Sequence, residues 1–360
     1  IGMSHLGLQI LYGLVNSRKD ALLERAFAPG EDLEALLREK NLPLFSLESY
    51  RPLKDFDIIG FTLQYEMSYT NILNMLNLAQ IPLRQEERGK GYPLILGGGP
   101  TGTNPEPIAP FFDAILLGDG EEALPELLDL AHNWKKEHGA LGGDEFLLAL
   151  TKIEGIYVPK FYQPKFHEDG RIKIMEPIKK EVPQKVRRRI VADLEEVYFP
   201  TNPIVPYLET VHDRGMVEVL RGCTRGCRFC QAGIIYRPVR ERSPELLQKQ
   251  VEAILTGTGY EELSLTSLST ADYTCLEPLL KDLMAKQGED NVNISLPSLR
   301  ADAFSVAIAE ELQKGRRTGL TFAPEAGTQR MRDVINKGVK EEDLMEAITA
   351  AFEAGWSGIK

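Results

Sequence analysis

Three of the four cysteines of this 360-residue chain lie within one eight-residue stretch, at Cys223, Cys227 and Cys230. Thiols this close in sequence can meet at one metal centre, because a tight loop brings their Cβ atoms together. Thiolates select soft metals, namely zinc, copper(I) or an iron–sulfur cluster. A structural zinc site takes four ligands and this loop supplies three, so zinc would need Cys275 or His212 as well. The donor set favours a cluster with one open iron, and reduced thiols that bind nothing are the remaining alternative.

The spacing Cys-x-x-x-Cys-x-x-Cys, with the aromatic Phe229 before the last cysteine, resembles the radical S-adenosylmethionine (SAM) superfamily. The resemblance implies a 4Fe–4S cluster on Cys223, Cys227 and Cys230, with SAM chelated to the open iron and Phe229 beside it. In that family an electron from the cluster cleaves SAM to a 5′-deoxyadenosyl radical.

The composition is that of an ordinary globular protein, with 43% apolar and 26% charged residues. A net charge of −11 argues against a protein whose whole surface grips nucleic acid. No apolar run approaches the roughly 18 residues of a membrane span, and no signal peptide is visible. Clustered cysteines indicate a reducing compartment, so we expect a cytoplasmic protein. The first residue is Ile1, inside apparent structure, which predicts a fragment of a longer protein.

Residues 1–150 are predicted to form an α/β domain, because short buried strands alternate with amphipathic helices. The strands are predicted at 57–63, 93–96 and 113–117, and the helices that follow them at 69–78 and 122–134. This alternation predicts a doubly wound parallel sheet. Ligands of such sheets bind at the carboxyl ends of the strands.

Small residues mark these predicted strand ends: Thr62 at the first, Gly97, Gly98 and Gly99 at the second, and Gly118 at the third. Without Cβ atoms, glycines let backbone amides approach a phosphate closely, although plain tight turns would use them equally. The combination resembles the cobalamin-binding domain that precedes many radical SAM barrels, and the resemblance implies that these residues contact cobalamin. The Asp-x-His-x-x-Gly motif of some such domains is absent near His5. Cobalamin is therefore expected to bind without a histidine from the first loop.

Residues 151–210 are predicted to be a connector, because prolines keep the segment irregular. Two basic clusters, at 179–180 and 185–189, are interpreted as a solvated face. Contact with RNA is the alternative, but no aromatic side chains interleave with the charges to stack on bases.

Residues 211–360 repeat a strand–helix unit, which predicts a (β/α) radical SAM barrel that is truncated at its C-terminus. The strands are predicted at 216–220, 263–268, 292–296 and 320–323, and the helices at 243–256, 276–287, 305–314, 328–335 and 341–354. Active sites of such barrels lie at the carboxyl ends of the strands. The cysteine-rich stretch follows the first strand, where the superfamily places its cluster.

Polar side chains follow the other predicted barrel strands, at Ser267, Ser269, Arg300, Glu325 and Gln329. The guanidinium of Arg300 suits the SAM carboxylate, and Glu325 can accept hydrogen bonds from ribose hydroxyls or the methionyl ammonium. The resemblance implies that the serines and Gln329 also contact SAM. The alternatives are a turn or helix cap for the serines, a surface salt bridge for Arg300 and a capping role for Glu325.

The function that this sequence predicts is reductive cleavage of SAM at a 4Fe–4S cluster, with cobalamin-dependent methyl transfer as the most concrete reaction on an unknown substrate. A reductant such as flavodoxin or ferredoxin is implied as a partner. One alternative is a tRNA-modifying methylthiotransferase, but those enzymes carry an auxiliary cluster on three N-terminal cysteines and this chain has no cysteine before Cys223. The other alternative is a zinc-stabilised nucleic-acid-binding module without catalysis.

Overall fold

The computed structural model describes residues 2–208, 210–287, 292–297, 299–303, 308 and 319–360. The chain divides into two compact units. The N-terminal unit is Ile10–Val191, and the C-terminal unit is Ile1–Gln9 together with Ala192–Lys360. A search of the described residues for a helix with the length and apolar character of a membrane span finds none.

A four-stranded sheet forms the centre of the N-terminal unit. Its strands are β1 (Ile58–Thr62), β2 (Leu94–Gly98), β3 (Ala114–Leu116) and β4 (Ile156–Tyr157), in that spatial order. The first three are parallel, and β4 pairs with β3 in the antiparallel direction. The helices of this part of the chain are α1 (Leu6–Asn16), α2 (Glu31–Lys40), α3 (Tyr69–Leu78), α4 (Gly120–His138) and α5 (Asp144–Leu150).

Helices cover both faces of this sheet. Successive strand residues point to opposite faces, so Ile95 and Ile115 pack with α3 in one apolar cluster. Their neighbours Leu94, Leu96 and Leu116 pack with α4 and α5 in a second cluster. The predicted α/β class, a mostly parallel sheet wound on both faces, is confirmed.

Residues 151–191 pack with the N-terminal unit, although the sequence predicts a connector from residue 151. β4 lies at the edge of the sheet, and the hairpin of β5 (Tyr162–Phe166) and β6 (Ile172–Pro177) follows it. The chain then returns to the end of β3, where Arg189 N–H donates to the Leu117 carbonyl at 2.8 Å. The Asp119 N–H in turn donates to the Arg189 carbonyl at 3.0 Å.

Parallel strands and intervening helices build the C-terminal unit. The strands β7 (Gly215–Glu218), β10 (Glu262–Thr266) and β11 (Asn293–Ser295) lie in the order β11-β10-β7, and β8 (Leu220–Arg221) pairs with β9 (Arg240–Glu241). The helices are α6 (Ala232–Ile235), α7 (Pro244–Thr258), α8 (Leu276–Gln287), α9 (Gln329–Val334) and α10 (Glu341–Glu353). This arrangement confirms the predicted partial (β/α) barrel.

Some predicted elements of this unit differ from the structure. The helix predicted at 243–256 is present as α7, and the Ser243 hydroxyl caps it by accepting from the Leu246 N–H at 3.2 Å. The strand predicted at 320–323 is reduced to one parallel bridge between Leu320 and Ile359. The helix predicted at 305–314 lies outside the described residues.

Candidate functional site

The cysteine loop, residues 222–231, leaves the short strand β8, and the chain returns through β9. Gly222 begins the loop with φ +101°, in the left-handed region. A Cβ at this position would lie 2.6 Å from the Pro238 carbonyl oxygen and 2.7 Å from that of Tyr236. Only glycine lets the outgoing and returning chains approach this closely. The loop therefore starts from a fixed point at the carboxyl end of the first barrel strand.

All three cysteines of the loop are free thiols with partial exposure. The Cys230 N–H donates to the Cys227 carbonyl at 3.0 Å, which closes a turn between these two residues. In the described ranges, no three His, Cys, Asp or Glu side chains converge closely enough to hold a single metal ion, and this includes the three loop cysteines as well as Cys275 and His212. Three accessible thiols on one loop fit a cluster with an open iron better than four-coordinate zinc.

The segment that follows α9 holds one side of the cysteine loop. The Arg228 N–H donates to the Ile335 carbonyl at 2.9 Å, and the Asn336 side-chain amide donates to the Gly226 carbonyl at 2.9 Å. The Arg228 guanidinium also donates to the Val334 carbonyl. These bonds tie the middle of the loop to residues more than a hundred positions away in the chain.

Arg225 holds the other side of the loop through two aspartates. Its Nε donates to Asp272 Oδ2 at 2.9 Å, and its Nη1 pairs with Asp302 Oδ2 at 3.2 Å. Hydrogen bonding to Asp272 raises the pKa of Arg225 above its ordinary value. Sequence reasoning missed these three residues. The available signal was an arginine inside the cysteine loop and an aspartate shortly after the hydroxyl-rich end of β10.

The Asp272–Arg225 contact gives a pH-dependent contribution to stability. Burial alone raises the pKa of Asp272, but hydrogen bonds from Arg225 and Ser269 outweigh it and hold that pKa below its ordinary value. A lowered carboxyl pKa contributes stability that is complete above the unfolded-state pKa and is lost as the pH falls through the folded-state pKa. We expect Asp272→Asn to lower the free energy of unfolding at neutral pH. The difference from the parent should shrink as the pH falls below the ordinary aspartate pKa of about 4. Urea unfolding of the metal-free protein over pH 3–7 measures this. A difference that stays constant with pH would contradict it.

The two predicted SAM-binding serines are engaged within their own turn. The hydroxyls of Ser267 and Thr270 lie 2.9 Å apart, and the Ser269 hydroxyl donates to Asp272 Oδ2 at 2.7 Å. Thr270 is fully buried and donates to the Pro297 carbonyl at 2.9 Å. The geometry is that of the turn which the sequence left open as the alternative. Contact between these serines and SAM stays a prediction.

Arg300 and Glu325 meet at Lys337. Arg300 is only 8% exposed and donates through Nε and Nη2 to both oxygens of Asp302, at 2.9 and 3.0 Å. Its Nη2 also donates to the Lys337 carbonyl at 2.7 Å, and the Lys337 ammonium donates to Glu325 at 3.2 Å. Because Asp302 also pairs with Arg225, these predicted SAM residues belong to one charged network that reaches the cysteine loop.

The remaining predicted SAM contacts lie on the surface of this unit. Gln329 donates to Asp333 at 2.8 Å and accepts from Arg332 at 3.0 Å, so its amide is engaged on α9. Phe229 is 53% exposed beside the last cysteine. Its open ring supplies apolar surface next to the thiols. The roles of Gln329 and Phe229 toward SAM stay predictions.

Three of the glycines predicted to contact cobalamin, Gly97, Gly99 and Gly118, are required by packing within the fold. Gly97 and Gly98 lie inside β2, which extends beyond the predicted end at 96, and a Cβ on Gly97 would lie 2.9 Å from the Leu63 side chain. Gly99 has φ +132°, and a Cβ there would lie 2.6 Å from the Leu63 carbonyl oxygen. At Gly118 a Cβ would overlap the Arg189 carbonyl.

Thr62 and Gly98 differ from these glycines. Thr62 is exposed, and Gly98 is half-buried with no atom closer than 3.9 Å to a built Cβ. These two residues form the accessible carboxyl edge of β1 and β2.

His5 caps α1, because its Nδ1 accepts from the Leu8 N–H at 3.1 Å. The loop after β1, residues 63–68, contains no histidine.

Part of the basic segment 179–189 is neutralised inside the N-terminal unit. The Lys179 ammonium pairs with Asp144 at 3.2 Å and lies 4.6 Å from the centre of the Phe161 ring. Arg189 pairs with Glu122 at 2.7 Å and with Glu126 at 2.8 Å. These pairs favour a structural role over a phosphate-binding surface.

Comparisons with known proteins agree with this architecture. Residues 217–360 match the family model of the radical SAM superfamily, and residues 7–159 match the model for the N-terminal part of radical SAM proteins. An uncharacterized protein of Methanocaldococcus jannaschii is 28% identical over 90% of this chain and 62% of its own length. An uncharacterized methyltransferase of Pyrococcus horikoshii is 21% identical over 84% of this chain and 58% of its own length.

A solved structure shares the fold across nearly the whole chain. It is the radical SAM methyltransferase TsrM of Kitasatospora setae with cobalamin and a 4Fe–4S cluster bound, at a TM-score of 0.58 and 14% identity. The match covers 97% of this chain and 64% of TsrM. This chain thus spans 58–64% of the length of the three proteins compared. With two radical SAM family models covering most of its residues, and with three free thiols on the loop after the first barrel strand, the chain belongs to the radical SAM superfamily.

Proposed function

We propose that this chain is part of a radical SAM enzyme that transfers a methyl group, with cobalamin as an intermediate carrier, to a substrate whose identity is open. The observation that carries the proposal is the cysteine loop. It presents three free, partly exposed thiols at the carboxyl end of the first strand of a parallel (β/α) unit.

Cys223, Cys227 and Cys230 would hold the 4Fe–4S cluster, which when bound supplies the electron that cleaves SAM to methionine and a 5′-deoxyadenosyl radical. Arg300 would hold the SAM carboxylate, and Glu325 would accept from its ammonium or ribose hydroxyls. Both side chains already point into one charged network through Asp302 and Lys337. Fixed charges of this kind orient a bound ligand without reorganisation.

Apolar side chains next to the thiols would shield a bound cluster from water. Phe229 and Ile234 are exposed on the loop and on α6, which follows it directly. Such surface can exclude water from a bound cluster and from the radical, which reacts with competing hydrogen donors. Ser267 and Ser269 are held in their turn and would contact SAM only through the outward side of that turn.

The proposal of cobalamin rests on the N-terminal unit and on the relatives. Thr62 and Gly98 form an accessible edge at the carboxyl ends of two parallel strands, the position at which such sheets bind ligands. TsrM, which shares the fold, binds cobalamin together with a cluster. The methyltransferase relative from Pyrococcus supports methyl transfer as the reaction.

The partners follow from the chemistry. The cluster needs an electron donor, for which we propose a small acidic redox protein of the flavodoxin or ferredoxin type. Four free cysteines fit a reducing compartment, and we propose the cytoplasm.

The test is anaerobic reconstitution of the full-length protein with iron and sulfide, reduction with dithionite and addition of SAM. We expect about four iron atoms per chain and formation of 5′-deoxyadenosine, measured by mass spectrometry. Retention of added cobalamin through gel filtration tests the N-terminal unit separately. A colourless protein that binds one zinc per chain and releases no 5′-deoxyadenosine would overturn the proposal.

A further inference from the structure

Asn336 grips the peptide that joins Gly226 to Cys227, the second cluster cysteine. Its side-chain Nδ2 donates to the Gly226 carbonyl at 2.9 Å and approaches the Arg225 carbonyl at 3.5 Å. Asn336 has φ +55°, a left-handed conformation that asparagine tolerates better than most residues. This backbone conformation turns the amide toward the loop just after Ile335 accepts the Arg228 N–H.

The held peptide has little restraint of its own. Gly226 has φ +70°, and a Cβ there would meet no atom closer than 3.4 Å. Glycine moves readily between left-handed and right-handed regions, so the plane of the 226–227 peptide is free to rotate unless another group holds it. The hydrogen bond from Asn336 supplies that restraint from outside the loop.

Fixing the Gly226 carbonyl also fixes the Cys227 N–H. A trans peptide is planar, so its carbonyl and its N–H point in opposite directions. Among the described residues the Cys227 N–H has no acceptor, whereas the Cys227 carbonyl accepts from Cys230. By holding the Gly226 carbonyl, Asn336 therefore makes the Cys227 N–H, which has no acceptor in the described part of the chain, point away from the Asn336 side chain. This donor belongs to the backbone of a proposed cluster ligand.

Amide donors near cluster sulfur atoms affect reduction, because hydrogen bonds to the sulfurs are among the factors that set the reduction potential of iron–sulfur clusters. Such bonds stabilise the reduced cluster, which carries one more negative charge. The residue after Asn336 reaches the other side of the site, since Lys337 contacts both Arg300 and Glu325.

We propose that Asn336 is a positioning residue for the cluster. By holding the Gly226 carbonyl it aims the Cys227 N–H at the cluster sulfur atoms and makes the cluster easier to reduce. This inference rests on the proposed function, since it requires a cluster on the three cysteines.

The test compares Asn336→Gly with the parent. Glycine keeps the left-handed backbone and removes only the side-chain amide. Asn41→Gly is the matched control, because Asn41 is also left-handed, with φ 52°, and caps α2 in the other unit. Asn336→Asp is the second variant, since aspartate tolerates the same backbone but cannot donate to the Gly226 carbonyl.

The readouts are iron content, electron paramagnetic resonance of the reduced cluster and redox titration. At a fixed potential we expect the ratio of reduced to oxidised cluster to fall about tenfold in Asn336→Gly and in Asn336→Asp, which for one electron is a shift of about 59 mV. Asn41→Gly should match the parent in all three measurements.

Parent-like potentials and spectra in Asn336→Gly would overturn the inference. If Asn336→Gly fails to fold, Asn336→Asp decides, and a parent-like potential there overturns the inference as well. A parent protein that takes up no iron would instead overturn the proposed function, which separates the two failures.

Discussion

Replacement of Cys227 by alanine is expected to remove the cluster and to lower 5′-deoxyadenosine formation by at least about 100-fold. Loss of an outer partner of a metal ligand already costs about 10–100-fold in affinity or activity, so loss of a ligand should cost at least the upper end of that range. The three thiols lie on one loop, and the only other cysteine of the sequence, Cys275, lies outside that loop.

The matched control is Cys275→Ala. Cys275 is also a free, partly exposed thiol, but it lies beyond β10 and outside the cysteine loop. Its replacement should leave iron content and 5′-deoxyadenosine formation within about twofold of the parent, as expected for a position outside the metal site. If both variants lost iron equally, Cys275 would belong to the metal site. If neither did, the cysteine loop would not be the cluster site.

Gly222→Ala is expected to prevent loading of the cluster even though every thiol is retained. A non-glycine residue in a left-handed or strained region costs on the order of 1–3 kcal/mol. Here the new Cβ would also lie 2.6 and 2.7 Å from two carbonyl oxygens, so β8 and the returning chain must separate. That separation moves Cys223, the next residue. Iron content after reconstitution and thermal unfolding of the metal-free protein measure the two effects.

Gly259→Ala is the control that separates the two effects of Gly222→Ala, namely the strain of a left-handed backbone and the steric clash of the new Cβ. Gly259 ends α7 with φ +70°, and a Cβ there would meet nothing within 4 Å. Its replacement should cost about 1–2 kcal/mol of stability from the left-handed conformation alone and leave iron content unchanged. Equal iron loading by Gly222→Ala and the parent would show that the loop tolerates displacement of its starting point.

The cysteine loop could be predicted from the sequence because its three proposed ligands are close together in the sequence. Three thiols within eight residues must lie near one another whatever the rest of the chain does. The alternation of strands and helices was likewise sufficient for the fold class. The contacts of residues at the strand ends were harder to predict. Residue type and position identified Arg300 and Glu325 as candidates, but they did not reveal the partners of these side chains.

The network around these residues depends on contacts that no spacing reveals. Arg225 meets Asp272 and Asp302, which lie 47 and 77 positions further along the chain. Asn336 reaches back 110 positions to Gly226. The sequence predicts that the glycines of β2 mark the end of the strand at residue 96, because glycine usually marks a turn. In the structure Gly97 lies inside the strand, and it has to be glycine because the Leu63 and Phe112 side chains occupy the space that a Cβ would need.

The pairing of residue 189 with the end of β3 has a consequence for how the protein is made. A ribosome delivers β1 to β4 long before it delivers Arg189, whose main chain must bond to Leu117 and Asp119 and fill the space beside Gly118. Domains usually fold as units in the order of their synthesis. The N-terminal unit therefore closes the end of β3 only after the β5–β6 hairpin and residues 188–191 have emerged. Until then the end of β3 on a nascent chain lacks these contacts, and a translation pause before residue 189 would prolong that state.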